Sequence, residues 1–250
     1  MKYNVLLMNN STRRGVRPLS SVLKTLALLD LLGKSSSPMR LVEVAQAAGA
    51  SRATTYQKLL TLAEAGWVEQ ASGGYRLSMH AARLGEAALR QASLGERSRA
   101  VLKALVAEVG ETASLAVLSG VQAELVQRVE AEVVVRVQRD VGYRMPLDQS
   151  ASGRVLTAFA TDELRAQLKR KGAVLASDAL LREVRKKGHA ISSGRDVAGV
   201  QSAAVPVYDA AGACISALSI VAPLPRFDAR RYLKPLLRAA RKLSYSAAGG

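Results

Sequence analysis

The polar residues best suited to chemistry in this chain lie in one short run. The run contains Arg52, Thr54, Tyr56, Gln57 and Lys58. Arginine can bridge the acceptors of guanine and glutamine can pair with adenine, whereas threonine, tyrosine and lysine can hold phosphates. On the second helix of a helix-turn-helix, such side chains enter the major groove of DNA. The run therefore predicts a DNA-reading helix, and polar residues that simply coat a solvated helix are the alternative interpretation.

Three helices and a hairpin must position this run, and the sequence carries signals for each. Apolar residues recur at spacings of three and four in segments 20–33, 41–48 and 51–65, the pattern of amphipathic helices. Ser20 or Ser21 and Ser51 are candidate N-caps, and Gly49 supplies the turn before the third helix. Strand-like segments 67–70 and 75–77 flank a turn that contains two glycines. Together these elements predict a winged helix-turn-helix.

The same periodicity predicts which side chains form the core of this domain and which remain outside. In the first helix the expected inward residues are Val22, Leu23, Leu26, Leu29 and Leu32, and in the third they are Thr55, Leu59 and Leu62. A basic arm, residues 1–17, precedes the domain and either touches DNA or is a solvated tail. The candidate DNA-binding residues are Arg17, Arg40, Ser51, Arg52, Thr54, Thr55, Tyr56, Gln57, Lys58 and Arg76.

The charge of the chain favours nucleic acid as a partner but is spread along its whole length. Lysine and arginine number 36 against 20 aspartate and glutamate residues, a formal net charge of +16. Such an excess favours partners of dense negative charge. Residues 2–76 hold ten basic and four acidic side chains, which leaves +10 of the +16 to later residues. Part of the charge therefore serves solubility or something other than direct DNA contact.

Several classes of protein are disfavoured by composition. Cys214 is the one cysteine, so an intrachain disulfide is impossible, and the two histidines, His80 and His189, are too few and too distant to suggest a metal site. No apolar stretch approaches the length of a membrane span. We therefore expect a cytoplasmic protein without a metal, a cofactor or a membrane anchor.

The later part of the chain predicts an α+β domain. After a connector helix at 78–91 and a helix that ends near residue 109, strands are expected at 112–118, 123–130 and 133–140. Helices at 151–160, 161–170 and 178–187 follow, then strands at 201–208 and 213–221 and a basic helix at 228–245. This order predicts an antiparallel sheet covered by helices.

In both halves the chain resembles the IclR family of transcription regulators, named for the isocitrate lyase regulator, from about Ser20 onward. The segments that carry the resemblance include Ser21-Val-Leu-Lys-Thr-Leu-Ala-Leu-Leu29, Gly66-Trp-Val-Glu69, Met145-Pro-Leu-Asp148, Ala151-Ser-Gly-Arg154, Lys187-Gly-His-Ala190 and Ala204-Val-Pro-Val207. The resemblance implies a GAF-like effector domain and assembly as a dimer or a dimer of dimers. It also implies repression or activation of a nearby operon, typically for catabolism of small organic acids or aromatics.

The expected effector pocket lies between the helix that follows Ser150, the loop at 192–195 and the last two strands. The amides of Ser152, Gly153 and Arg154, at the start of that helix, are expected to be unpaired donors that can bind a carboxylate. Along the last strand, Ile215, Ala217, Ser219 and Val221 share one face. The candidate effector-binding residues are Ser152, Gly153, Arg154, Ser192, Ser193, Ser202, Ser219 and Val221.

Departures from the family pattern make an anionic ligand the favoured hypothesis. The family often has histidine at Asp148, acidic residues at Ser192 and Ser193, and cysteine or serine at Ser202. Loss of acidic groups beside Arg154 and Arg195 makes the local potential less negative. The alternative is that these serines serve turns and packing, and that the arginines are surface charges.

We therefore predict a regulator of four parts: an arm at 1–17, the winged helix-turn-helix at 18–77, a connector helix at 78–93 and an effector-binding domain at 94–250. Operator binding would be modulated by a small organic acid. The sequence contains no nucleophile elbow, dinucleotide fingerprint or phosphate loop, so no enzyme is expected. The rival interpretation is a sensing or enzymatic α+β domain with a helical dimerisation module and no specific DNA target.

Overall fold

The computed structural model describes residues 17–91, 96–132, 139–192 and 199–244. Its contacts divide the chain into two compact units, Met1–Gln91 and Ala92–Gly250. Every helix among the described residues is too short or too polar to cross a bilayer.

The first unit consists of helices and one hairpin. Its elements are α1 (Ser20–Gly33), α2 (Leu41–Ala47), α3 (Arg52–Glu64), β1 (Val68–Ala71), β2 (Gly74–Leu77) and α4 (Met79–Gln91). Strands β1 and β2 pair antiparallel, with Val68 opposite Leu77 and Ala71 opposite Gly74. The expected winged helix-turn-helix is therefore present, with hairpin strands that start or end one residue from the predicted limits.

Six side chains form the core of this unit: Leu28, Leu32, Val44, Leu59, Leu62 and Val68. Trp67 packs against this core and sets its ring edge-on to His80, with ring centroids 4.8 Å apart. The expected inward face of α1 is wrong in its first half, because Val22, Leu23 and Leu26 are 48%, 55% and 48% exposed. Only the last turns of α1 reach α3 and the hairpin, so burial begins at Leu28.

The start of α1 and the wing also differ from expectation. The N-cap of α1 is Leu19, which makes no side-chain cap, and neither Ser20 nor Ser21 occupies that position. An isolated antiparallel β-bridge joins Met39 to the wing, because the backbones of Met39 and Tyr75 exchange hydrogen bonds of 2.9 and 2.8 Å. A Cβ on Gly74 would lie 2.1 Å from the carbonyl oxygen of Met39. Only glycine allows this close approach.

The second unit is an antiparallel sheet between two layers of helices. Its elements are α5 (Glu96–Val109), β3 (Thr112–Ser119), β4 (Gln122–Val129), β5 (Arg144–Met145), α6 (Ala151–Ala158), α7 (Asp162–Arg170), α8 (Asp178–Lys187), β6 (Ala190–Ile191), β7 (Val200–Tyr208), β8 (Cys214–Pro223) and α9 (Ala229–Leu243). The described strands follow the order β5-β4-β3-β8-β7-β6.

One layer is made of α5 and α9, which pack on each other and on the sheet. The other contains α6, which contacts β7, β8, β6, β3 and β4 and also packs on α8. Buried side chains on the α6 side include Ala116, Ala204, Ala217, Val155 and Leu181. Alternation along each strand therefore sends one set of residues towards α6 and the other towards α5 and α9.

Most elements of this unit match their predicted positions, and the differences have local causes. Serine or threonine caps α6, α7 and α8, and Gly188 ends α8 at a positive φ of 71°. The two-residue strands β5 and β6 were not expected, because they are too short to show a period. Of the strand expected at 133–140, residues 133–138 lie outside the described residues, and residues 139–140 are not in a strand.

Candidate DNA-binding surface and effector site

The start of α3 is fixed by the turn after α2 and by a serine cap. Gly49 has a positive φ of 59°, which lets the chain reverse before Ser51. The Ser51 oxygen accepts a hydrogen bond of 3.2 Å from the Thr54 amide, and its hydroxyl donates to the Thr54 hydroxyl at 3.0 Å. The polar run thus starts at a rigid helix N-terminus, which sets the direction of the side chains that follow.

The outer face of α3 carries four of the five polar residues that the sequence singled out. Arg52, Thr54, Tyr56 and Gln57 are exposed, and Lys58 is half-buried. Tyr56 is 48% exposed although it is aromatic. Exposed arginine, glutamine and threonine side chains are donors and acceptors that can read base edges and phosphates.

Thr55 is wrongly included among the candidate DNA-binding residues. Its side chain is completely buried, and its hydroxyl donates to the carbonyl oxygen of Ser51 at 2.9 Å. Helical periodicity directs it to the same face as Leu59 and Leu62, which are also buried. Thr55 therefore stabilises the first turn of α3 and cannot reach DNA.

The remaining candidates lie outside α3. Arg17 is exposed, and Arg40 is exposed at the N-cap of α2, where its amide donates to Glu43 Oε2 at 2.7 Å. Arg76 lies on β2 opposite Glu69, and the two side chains form an ion pair of 2.7 Å. Because both partners are largely exposed, this pair is weak and a phosphate can compete for Arg76.

On the effector side, α6 starts much as α3 does but is buried. The Ser150 oxygen accepts a hydrogen bond of 3.0 Å from the Gly153 amide, and the Ser150 carbonyl accepts one of 3.1 Å from the Arg154 amide. The expectation of three unpaired amides at 152–154 is therefore wrong for two of them. The serine cap satisfies the helix end itself, so at most the Ser152 amide remains for a ligand.

Arg154 and Ser192 both hold backbone segments together. The Arg154 guanidinium donates to the carbonyl oxygens of Asp148 at 2.7 Å and Ile191 at 3.1 Å. Ser192 is buried, and its hydroxyl oxygen accepts a hydrogen bond of 2.9 Å from the Ser202 amide. These contacts give both residues a structural role beside any role in binding. Ser193 and Arg195, which were expected beside them, lie outside the described residues.

Ser219 and Val221 lie on β8 on the side that faces α6, as expected, but Ile215 does not share their face. The pairing of β7 with β8 shifts so that Val207 lies opposite Ser216 while Tyr208 lies opposite Cys214. The irregularity breaks the alternation of side chains between Ile215 and Ala217. The predicted four-residue face is therefore correct only from Ala217 onward.

The sequence interpretation missed a buried polar row beside Ser219. Ser219 lies opposite Ser114 of β3, which lies opposite Arg128 of β4. Ser114 is 3% exposed and the Arg128 side chain 5%. Burial lowers the pKa of Arg128, whose ion pair with Glu130 at 3.3 Å opposes that shift. Polar residues at alternate positions of the apolar segment from Thr112 to Ala116 were the signal for this row.

The two histidines and the cysteine are of residue types that are common in enzyme active sites, but here they make structural contacts or are buried. His80 and Trp67 contact each other edge to face, and His189 Nδ1 lies 3.0 Å from the carbonyl oxygen of Lys187 at the end of α8. Burial raises the pKa of Cys214 to about 12, so its thiol is protonated at neutral pH. Among the described ranges, no three His, Cys, Asp or Glu side chains gather closely enough to hold a metal ion.

Comparison with known proteins identifies both units. The model of the IclR helix-turn-helix domain matches residues 21–72, and that of the bacterial transcriptional regulator IclR C-terminal domain matches residues 86–245. The regulator BhcR of Paracoccus denitrificans is 30% identical over 94% of this chain and 88% of its own length.

Solved structures agree with this assignment. The HmgR structure of Pseudomonas aeruginosa is 28% identical, covers 91% of this chain and all of its own, and superposes with a TM-score of 0.73. An IclR homologue of Microbacterium hydrocarbonoxydans, solved with 4-hydroxybenzoate, has the same fold at 24% identity, with a TM-score of 0.75 over 90% of this chain and 98% of its own. The chain therefore belongs to the IclR family, and it is a DNA-binding transcription regulator and not an enzyme.

Proposed function

We propose that two copies of this chain bind a specific operator through α3 and the wing, and that a small organic acid bound in the second unit changes that affinity. The observation that carries the proposal is the outer face of α3. Its exposed residues Arg52, Thr54 and Gln57 stand on a helix that is anchored by the buried Leu59 and Leu62. Rigid presentation of such side chains is what base reading requires.

Self-association is supported by an uncovered apolar surface on α1. Leu19, Val22, Leu23 and Leu26 are 70%, 48%, 55% and 48% exposed. Large apolar side chains that cluster at a protein surface usually mark an interface. A second copy of the chain covers them in the proposed dimer, which also supplies two reading helices. Such a dimer contacts half-sites separated by about 34 Å, one turn of DNA, or a multiple of it.

An acidic effector is supported by the polar side chains on the α6 side of the sheet. Ser152, Ser192 and Ser219 are buried there among alanines, a mixture that suits a small, partly apolar acid. The Microbacterium homologue was solved with such an acid, 4-hydroxybenzoate. In the proposed mechanism, the effector prefers one arrangement of the dimer, and α4 transmits that preference with a coupling of about 1 to 3 kcal/mol.

Operator binding by an Arg52→Ala variant tests the proposal. Genomic fragments selected by the full-length protein provide the operator, and fluorescence anisotropy measures affinity as salt is varied. We expect wild-type affinity to fall steeply with salt, because bound phosphates release counterions. Arg52→Ala should weaken binding by about 10- to 100-fold, as for loss of a good base contact. Arg170→Ala removes the same charge from an exposed position in the second unit and is the matched control.

Two results would contradict the proposal. Equal losses in Arg52→Ala and Arg170→Ala would mean that general charge, and not α3, drives binding. Operator affinity that stays constant across saturating concentrations of every acid that binds the protein would remove the regulatory part of the proposal and leave DNA binding intact.

A further inference from the structure

We infer that the basic face of α9 is a second DNA-binding surface, which holds phosphates of the duplex next to the operator without reading its sequence. The basic face comprises Arg230, Arg231, Lys234, Arg238, Arg241 and Lys242. The inference goes beyond the proposed function, which assigns DNA binding to α3 and the wing. It rests on that proposal only for the operator that brings a duplex to the protein.

The first observation is the concentration of charge on α9. The helix has six basic and no acidic residues, and all six are exposed. With Asp228 at its N-cap, α9 contributes +5, which is half of the +10 that lies beyond residue 76. The other side of the helix is buried and includes Tyr232, Leu236 and Leu243. The charge of the second unit is therefore gathered on one side of one helix.

Three of these cations have no counter-charge in the protein. Within the described part of the chain, no acidic side chain pairs with Arg230, Lys234 or Arg241. Arg238 does pair with Glu108, at 2.5 Å, but about half of each side chain is exposed, so the pair is weak. The basic face thus offers at least three cations to an anionic partner.

The second observation is that this pattern opposes the stability of the helix. Arg230 and Arg231 lie in the first turn, where the helix dipole favours acidic side chains. Lys234 lies four residues from both Arg230 and Arg238, and like charges at that spacing repel. The Asp228 cap offsets part of this cost. Folding alone does not favour such a pattern, whereas binding of a polyanion does.

Two other helices of the same unit, α7 and α8, carry charges of both signs. Helix α7 starts with Asp162 and Glu163 before its basic residues. Helix α8 also ends in basic residues, but Asp178 lies in its first turn and Glu183 pairs with Lys187. Interspersed charges of both signs are sufficient to keep a surface soluble. Solubility therefore does not explain the single sign of α9.

A DNA duplex fits the basic face better than a membrane surface does. Helices that lie on membranes insert an apolar side between the lipids. The apolar side of α9 is not available, since Tyr232 and Leu236 are completely buried. From Arg230 to Arg241 the helix rises about 17 Å, and a duplex carries about ten phosphates over that length. The partner with matching charge and length is DNA.

Attachment to the operator makes a weak second contact sufficient. Non-specific binding to DNA has a Kd of about 10⁻⁴ to 10⁻⁶ M. Once α3 holds the operator, the neighbouring duplex is present at an effective concentration of about a millimolar. The basic face then occupies that duplex in a large fraction of complexes. It adds affinity and salt dependence but no sequence preference.

The test compares two duplexes that contain the same operator. One is the shortest duplex that retains specific binding, and the other extends it on each side by about 30 base pairs, three helical turns. Fluorescence anisotropy with the full chain measures Kd at several salt concentrations. In the wild type, the plot of log affinity against log salt should be steeper on the longer duplex. We expect a difference in slope of about 2.7 for each basic face that engages, at about 0.9 for each of three phosphates.

Two triple variants with the same change in charge separate α9 from the rest of the surface. Glutamine keeps a long polar side chain and a good helix propensity. The test variant is Arg230→Gln, Lys234→Gln, Arg241→Gln. The control variant replaces three exposed cations elsewhere in the second unit and is Arg170→Gln, Lys171→Gln, Lys186→Gln. The test variant should have the same slope on both duplexes, and the control variant should keep the wild-type difference. Equal losses in the two variants would mean that net charge acts and not the basic face.

Melting temperatures without DNA control for folding. Removal of like charges from α9 should leave the test variant as stable as the wild type or more stable. A test variant that melts well below both the wild type and the control variant would show that these side chains are structural, and the inference would be wrong.

The remaining outcomes separate this inference from the proposed function. If the wild type has the same slope on both duplexes, the inference is wrong, while a loss of binding in Arg52→Ala on the shorter duplex leaves the proposed function standing. If Arg52→Ala binds both duplexes as the wild type does, the proposed function fails, whatever the test variant shows.

Vesicles of phosphatidylglycerol and phosphatidylcholine test the membrane alternative by sedimentation. We expect the wild type and the test variant to stay equally in the supernatant. If the vesicles sediment the wild type but not the test variant, and the two duplexes give one slope, the basic face binds a lipid surface and the inference is wrong.

Discussion

Two helices of this protein start with the same serine cap, but one is mostly exposed and the other is mostly buried. Both α3 and α6 are capped by a serine whose oxygen accepts a hydrogen bond from the amide three residues later, Ser51 from Thr54 and Ser150 from Gly153. Three of the thirteen residues of α3 are buried, whereas seven of the eight residues of α6 are. A cap thus specifies where a helix starts, and its surroundings decide whether the helix presents side chains or lines an interior.

The difference in environment changes what each position tolerates. On α3 a new side chain extends into solvent, or into DNA in the proposed complex, whereas on α6 it meets atoms that are already packed. The same substitution should therefore cost stability at α6 and binding at α3. Three predictions, in order of decreasing effect on the fold, test this contrast.

The largest effect is expected from Gly153→Ala in α6. The added Cβ would lie 2.6 Å from two backbone atoms, the Leu147 Cα and the Pro146 carbonyl oxygen, and 2.8 Å from the Ser150 Oγ that caps the helix. We expect the free energy of unfolding to fall by about 3 kcal/mol, as in severe overpacking. Urea denaturation followed by circular dichroism measures the change.

Gly85→Ala in α4 is the control for that substitution. A Cβ at Gly85 has no described heavy atom within 4 Å, and alanine is the better helix former. This variant should be as stable as the wild type or more stable by up to about 1 kcal/mol. A Gly153→Ala variant as stable as Gly85→Ala would show that α6 is not tightly packed and would remove the contrast.

The serine caps of α6 and α3 should contribute different amounts to the free energy of unfolding, and this difference is smaller than the effect of Gly153→Ala. The Ser150 hydroxyl is buried and also donates to the Pro146 carbonyl oxygen at 2.6 Å, whereas the Ser51 cap is exposed. Loss of a buried bond adds to loss of the cap, so Ser150→Ala should cost about 2 kcal/mol and Ser51→Ala about 1 kcal/mol. Equal costs in urea denaturation would mean that burial does not strengthen the cap.

The smallest effect is expected from thiol reagents on the wild-type chain. The pKa of Cys214 is raised to about 12 by burial, so at pH 8 only about one thiol in 10,000 is ionised, and the thiolate is the reactive form. The native protein should therefore react with a disulfide reagent only over hours. Reaction within minutes would show that this end of β8 opens readily.

A cysteine introduced on α3 provides the comparison for the thiol experiment. Gln57 is exposed, so Gln57→Cys should have an ordinary pKa near 8.5 and should react at least about 100-fold faster than Cys214. Protection of the new thiol by operator DNA would in addition support the proposed role of this face.

Features that depend on neighbouring residues were predicted from the sequence, whereas contacts between distant residues were not. The serine cap of α3, the turn at Gly49 and the end of α8 at Gly188 were predictable because each depends on a few consecutive residues. The exposure of Val22 was not predictable, because it depends on how far the core extends along α1. Nor was the approach of Met39 to Gly74, which joins residues 35 positions apart.

The candidate sites show the same division. The polar residues of α3 were identified from the sequence. Helical periodicity also placed Thr55 on the inward face, where the structure buries it fully, although Thr55 was named among the candidate DNA-binding residues as well. In the second unit Ser152, Ser202 and Ser219 lie on the elements predicted for them, yet two of the three expected amide donors are occupied. Ser150 accepts the hydrogen bonds from both of these amides. Its position was evident from the sequence, but we did not anticipate that it would occupy the amides expected to bind a ligand.

The sequence alone determined the family, the order of the longer elements and the start of α3, because motifs, capping and periodicity are encoded within a few neighbouring residues. Tertiary structure alone decided which polar groups are left without partners. The buried hydroxyl of Ser114 has no hydrogen-bond partner within the described part of the chain. Ser114 and Ser219 are 105 positions apart and become neighbours only through the pairing of β3 with β8. A hydrogen-bond deficit at a buried atom is a property of all the surrounding strands, and no local pattern records it.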